Sequence, residues 1–211
     1  MKKPRPLLRF NYYFIDMALS EITQLKNLDF TKQITFAYLT CERLYPNYVF
    51  FSKEYGFGNP EVLREAIHYL DRNLFDKEID KTKLASLIKK VEENTPQPAD
   101  YETILASSAL DACTTIIESL SFLVDKQISR LEDISTMATD TVAMYIHDTE
   151  GLDPNIDINF QQKINSNPLM VKEIAIQKGI ISYLSKINSI QPTDIDTLLD
   201  LQKSKDGSLN L

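Results

Sequence analysis

The sequence is poor in glycine, cysteine and histidine and has no surplus of positive charge, and each shortage removes a class of protein. Five glycines in 211 residues are too few for a barrel or sandwich, whose repeated tight turns draw on glycine's left-handed freedom. The two cysteines, Cys41 and Cys113, sit among apolar and small residues without CxxC or Cys/His ligand spacing. They read as buried, reduced and inert thiols rather than as a disulfide or zinc ligands. Two histidines leave little room for a Ser/His/Asp system. A net charge of −7 disfavours nucleic-acid binding and attachment to anionic membranes, which need a face rich in Lys and Arg. No stretch approaches the ~20 apolar residues of a membrane span. The basic start MKKPRPLLRF lacks a signal-peptide apolar core, because Arg9, Asn11 and Asp16 interrupt it. The expectation is a soluble cytoplasmic protein. Phosphate-loop, GxGxxG, GxSxG and HExxH patterns are all missing.

What is present is helical periodicity. Apolar residues recur at three- and four-residue spacing over 9–26, 30–44, 60–75, 80–93, 98–126, 130–149, 167–188 and 193–203. Asp29 and the Asn59-Pro60 and Asn167-Pro168 pairs mark helix starts, and Gly151 marks a helix end. Pro46 is expected to end the second helix, since it lacks an amide hydrogen and disfavours a helical Tyr45, with a short aromatic helix restarting after it. The segment 98–126 carries Ala106, Ser107, Ser108, Ala109, Ala112 and Cys113, small residues that let neighbouring backbones approach, so it is expected at the centre. Residues 152–166 read as irregular connection. The fold class is therefore all-α, a bundle of about seven or eight helices. Residues 1–190 are expected to form a single helical domain and residues 191–211 a short C-terminal helix with a polar tail.

The most distinctive stretch runs from Cys41 to Gly58, CERLYPNYVFFSKEYGFG. With LDAC at Leu110–Cys113 and TVAM at Thr141–Met144, it resembles the YjaG-like bacterial family, catalogued as a domain of unknown function (family 416), over roughly residues 10–190. The resemblance implies an all-helical cytoplasmic bacterial protein. It implies no activity and no cofactor, and it supplies no catalytic residues.

Candidate chemistry gathers first around the proline. Glu42, Arg43, Tyr45, Asn47 and Tyr48 crowd polar groups at an expected helix break. As a ligand or partner site, Arg43 would supply a cationic donor fork, the tyrosines apolar faces with hydroxyls, and Asn47 an amide reader. As a structural corner, the same residues would satisfy the backbone groups that the break frees. Asp111 is the second candidate. A carboxylate in so apolar a helix must find a partner or shift its pKa upward, and Arg43 is the expected partner. Glu65-Ala66-Ile67-His68 is a single ExxH, whereas carboxylate-bridged di-metal bundles use two; a solvent-facing role is expected and no metal. The aromatics Phe36, Tyr38, Phe50, Phe51, Tyr55 and Phe57 lack interleaved basic residues and read as core rather than as a stacking surface for bases.

The leading expectation is a non-catalytic interaction or regulatory module. The alternative is a small-molecule-binding or metal-dependent enzyme with a pocket near Glu42, Arg43 and Asp111. No cofactor is expected; a protein partner and self-association both stay open.

Overall fold

The computed structural model describes residues 22–75, 78–202 and 207–209. Of the first expected helix, only residues 22–26 are described, and they are helical; residues 9–21 lie outside the described residues. Eight α-helices follow: α1 Phe30–Tyr55, α2 Pro60–Arg72, α3 Lys81–Glu93, α4 Leu105–Asp125, α5 Ser129–Thr149, α6 Phe160–Ser166, α7 Pro168–Lys186 and α8 Pro192–Gln202, with a 3-10 turn at Pro98–Asp100 before α4. No strand occurs among the described residues, and the fold is an all-α bundle.

The expected break at Pro46 does not end its helix. The helix α1 continues through Pro46 to a left-handed Gly56, and the reason is energetic. Its buried stripe, Ile34, Tyr38, Cys41, Leu44, Tyr48 and Phe51, keeps three- and four-residue spacing straight across the proline. An interior proline costs about 3 kcal/mol. Burying two large side chains beyond it, Tyr48 and Phe51, recovers about 1.5–3 kcal/mol each. Ending the helix would forfeit that face.

The helix start at Asp29 is as expected, its carboxylate accepting from the Lys32 amide at 3.1 Å. Asn59 and Asn167 cap α2 and α7 in the same way. At the end of α5, Gly151 adopts φ +62°; its amide and that of Leu152 donate to Asp148 and His147 carbonyls at 3.3 and 3.0 Å. That double closure is a Schellman cap, and a residue with a Cβ would be strained in it.

The centre of the fold is the packing of α1 on α4, the most extensive helix pair. The small residues Ala106, Ala109, Ala112 and Cys113 are buried there as expected. By length and hydropathy α4 could cross a membrane, more apolar than the sequence reading allowed, and it lies largely within the core. It is shorter than expected at its start, because Tyr101 is drawn away into an aromatic cluster. The Tyr101 ring meets Phe51 edge-on at 4.9 Å and also touches Tyr55 and Phe57. Buried hydroxyls on both central helices bond the carbonyl one turn back, as Thr40 does to Phe36 at 2.9 Å and Ser119 to Thr115 at 2.7 Å, so they enter the core without an orphaned donor. A second apolar cluster, Val142, Ala143, Ile146, Leu152, Ile164, Met170 and Leu209, lies among α5, α6 and α7. The helix α6 occupies the second half of the stretch 152–166 expected to be irregular, while 152–159 is irregular, and Ile164, its buried residue, holds it to this cluster. Leu209, expected in a polar tail, is buried in the same place.

Two glycines beyond α1 give a paired test. A Cβ on Gly58 (φ +68°) would collide with the Tyr48 hydroxyl oxygen, while one on Gly56 (φ +62°) would meet nothing within 4 Å. Both alanine variants carry backbone strain, and only one adds a collision. Urea unfolding is expected to show Gly58→Ala less stable than Gly56→Ala by about 1–3 kcal/mol; equal losses would mean that Tyr48 does not hold the position the structure gives it.

Candidate functional site

Residues 42 and 43 are adjacent on α1 and therefore point about 100° apart. Glu42 turns toward α2, where both carboxylate oxygens accept from Arg64 Nη1 at 2.7 and 2.8 Å. The Arg64 guanidinium in turn lies 3.9 Å over the Tyr45 ring, and the Tyr45 hydroxyl donates to the Pro60 carbonyl at 3.3 Å. Burial first, and then the Glu42 charge, push the Tyr38 phenol and the Asp71 carboxyl above their ordinary values. This side of α1 is a half-buried ionic cluster.

Arg43 turns inward and is fully buried. Its Nε and Nη2 donate to the two carboxylate oxygens of Glu173 on α7, each at 2.9 Å, and Nη1 donates to Gln202 Oε1 on α8 at 3.3 Å. Gln177 Nε2 donates to Glu173 Oε1 at 2.8 Å and to the Ser135 carbonyl at 3.2 Å, and the Ser135 hydroxyl donates back to Gln177 Oε1 at 2.6 Å. The two-pronged fit of a planar guanidinium to a carboxylate is the strong form of such a pair. It fastens α1, α5, α7 and α8 around one buried ion pair.

Asp111 is not the partner of Arg43, as the sequence reading expected. It is half-buried on α4, where its Oδ2 accepts from the Thr141 hydroxyl of α5 at 2.7 Å. The geometric reason is that Arg43 leaves α1 toward α7 and α8 while Asp111 faces α5. Glu42, Arg43 and Asp111 each engage a different neighbour and do not converge on one pocket.

Asn47 Nδ2 donates to the Ser208 hydroxyl at 2.8 Å, and the Tyr48 hydroxyl donates to the Asn94 carbonyl at 2.7 Å. Glu65 of the ExxH pairs with Lys83 and with Lys90, and His68 is exposed. Among the described residues, no group of three His, Cys, Asp or Glu side chains is placed to hold a metal ion. Both cysteines are free and buried, and burial pushes each thiol up to about 12.

Sequence reasoning named the α1 half of the buried network and missed Glu173, Gln177, Gln202 and Ser135. A signal existed: Glu173 and Gln177 occupy buried positions on α7 in register with Met170, Ile180 and Leu184, where an amphipathic helix ordinarily places apolar residues.

A model for the family described as "Protein of unknown function (DUF416)" matches residues 21–210. The chain belongs to this family. Among curated relatives, the uncharacterized protein YjaG of Escherichia coli K12 is 27% identical over 164 residues, 77% of this chain and 81% of that one. An uncharacterized protein of Haemophilus influenzae is 22% identical over 181 residues, 85% of this chain and 88% of that one. The crystal structure of a DUF416 protein from Shewanella baltica OS155 superposes with a TM-score of 0.81 at 27% identity, covering 89% of this chain and 96% of that one. The relatives are bacterial, and the fold is shared with a solved DUF416 structure.

Truncating Arg43 or Glu173 leaves a buried charge without its partner. Each single alanine variant is expected to lose about 3–5 kcal/mol, while Arg43→Met with Glu173→Met recovers most of that loss in the same denaturation series. A double variant no more stable than the singles would show that the pair does more than neutralise itself. The thiols carry a second expectation. The folded chain retains thiol protons up to about 12, whereas unfolded cysteine releases them near 9.0. The stability from burying neutral thiols is thus complete below that lower value and is lost as pH rises between the two. At about pH 8 a chromogenic disulfide reagent is expected to leave both native thiols unmodified and to react with both after denaturation; rapid native reaction would contradict the burial.

Proposed function

We propose that this protein works in the bacterial cytoplasm as a non-catalytic interaction or regulatory module. What carries this reading is the use made of the polar residues at the Pro46 turn. Arg43, Glu173, Gln177 and Ser135 bond to one another and to the backbone, Glu42 is clamped by Arg64, and Asp111 is held by Thr141. General acid or base work draws on a group poised to exchange a proton with substrate, and these side chains are engaged in holding helices together. The acidic balance of the chain, −7 overall, supports a protein partner over nucleic acid. The irregular connection before α6 adds a surface that suits such a role. There Ile156 and Ile158 are 77% and 99% exposed, on a turn where the Asp157 carboxylate accepts from the Asp153 amide at 2.8 Å.

Native mass spectrometry on protein purified gently from its own host, with metal analysis of the same sample, tests the reading. The expected outcome is a stoichiometric protein complex or a homo-oligomer carrying neither metal nor small molecule. A stoichiometric small molecule or metal lost on substituting Glu42 would replace it with the enzyme or sensor alternative.

A further inference from the structure

Proline at position 46 breaks the ladder of amide-to-carbonyl bonds in α1, because its nitrogen has no hydrogen to donate to Glu42 and its ring crowds that turn. One residue along, the Arg43 carbonyl is met from outside the helix: the Ser208 amide donates to it at 3.1 Å. The Ser208 hydroxyl accepts from Asn47 Nδ2 at 2.8 Å, and Leu209 is buried among Val142, Ile146, Leu152 and Met170. Gly207 lies directly against the proline. It has φ +61°, and a Cβ there would approach Pro46 Cβ to 3.0 Å, the Arg43 carbonyl oxygen to 3.2 Å and Asn47 Oδ1 to 3.3 Å. Each of the three residues meets a separate demand: no side chain and a left-handed backbone at the first, an amide donor and a hydroxyl acceptor at the second, an aliphatic side chain at the third.

We propose that the turn around Pro46 is a peptide-docking site for a Gly-Ser-Leu segment, that Gly207–Leu209 is its intramolecular occupant, and that this occupant exchanges on and off. Among the described residues the hold is short, with one backbone bond, one side-chain bond and one buried leucine side chain. It is also incomplete, since Asn47 Oδ1, which lies beside Gly207, is buried with no hydrogen-bond partner among the described residues. A buried polar group left unbonded favours the open state, in which water reaches it. In the closed state the segment shields the backbone beside the Arg43–Glu173 pair. A second copy presenting the same three residues has the chemistry to take the place in trans.

The test uses the full-length protein and a fluorescent nonapeptide of residues 203–211, KSKDGSLNL. In the Gly207→Val chain the intramolecular segment cannot seat, so the peptide is expected to bind saturably by anisotropy. Binding to the wild-type chain is expected to be at least about tenfold weaker, because a tethered competitor has a high effective concentration. A peptide carrying the same glycine-to-valine change is expected not to bind. Absence of saturable binding to a folded Gly207→Val chain, equal binding to both chains, or equal binding of both peptides would each overturn the proposal. Native-state hydrogen exchange on the unmodified chain gives a reading independent of how the variant folds. The Ser208 amide is expected to be protected, yet to exchange at least about tenfold faster than the core amides of α4. Exchange at the rate of a free peptide, or only together with α4, would refute exchangeable docking.

Discussion

Arg43 brings into the fold a charge it cannot shed and a set of N–H donors that must all be met or left facing water. Once that side chain turns inward from α1, a carboxylate has to be waiting at guanidinium distance, and the helices that carry it must stay in register with α1. Glu173 fulfils the requirement with two bonds of equal length, and Gln177, Ser135 and Gln202 surround the pair with further polar contacts. Four helices thereby acquire one allowed arrangement. Replacing such a group with apolar residues commonly leaves stability unchanged or raised, so the consequence of keeping it is definition of position rather than strength. A sliding of α7 along α1 by one turn would carry the carboxylate away from the guanidinium and leave two buried charges without their counterions.

The contrast with the neighbouring residue makes the point. Glu42 and Arg64 also form a close pair, but their side chains are 14% and 24% exposed, and a pair that water reaches contributes of the order of 1 kcal/mol or less. One step along the same helix therefore separates a fully buried ion pair that ties α1 to α7 from a partly exposed one that ties α1 to α2. The arginine stacked on Tyr45 gives the outer pair its orientation, while the inner pair is oriented by the packing of the bundle itself.

The parts of the fold written in local chemistry were readable from the chain. Asp29, Asn59, Asn167 and Gly151 announce helix ends through bonds between residues a few positions apart, and the small-residue face of α4 marks the centre by itself. What was misread depended on distant partners. Pro46 looked like a terminator because its local cost is visible and the gain from burying Tyr48 and Phe51 is not, although the stripe from Ile34 to Phe51 never loses its spacing. Arg43 was assigned to Asp111 because Asp111 interrupts an apolar helix conspicuously. Glu173 does the same on α7, but Lys172 beside it and Gln177 one turn on give it the look of a polar face. The final residues looked like a tail because Ser208 and Leu209 gain their meaning only against a notch some 160 positions earlier.

The separation between Arg43 and Glu173 is 130 positions, and this has a consequence for synthesis. At the usual pace of about 5–20 residues per second, the ribosome releases the arginine on the order of ten seconds before the glutamate exists. During that interval the guanidinium has no carboxylate to meet, so it stays hydrated and the face of α1 around it stays open to water. The early chain is thus held short of its final compaction by an electrostatic debt, one that α7 discharges as it emerges.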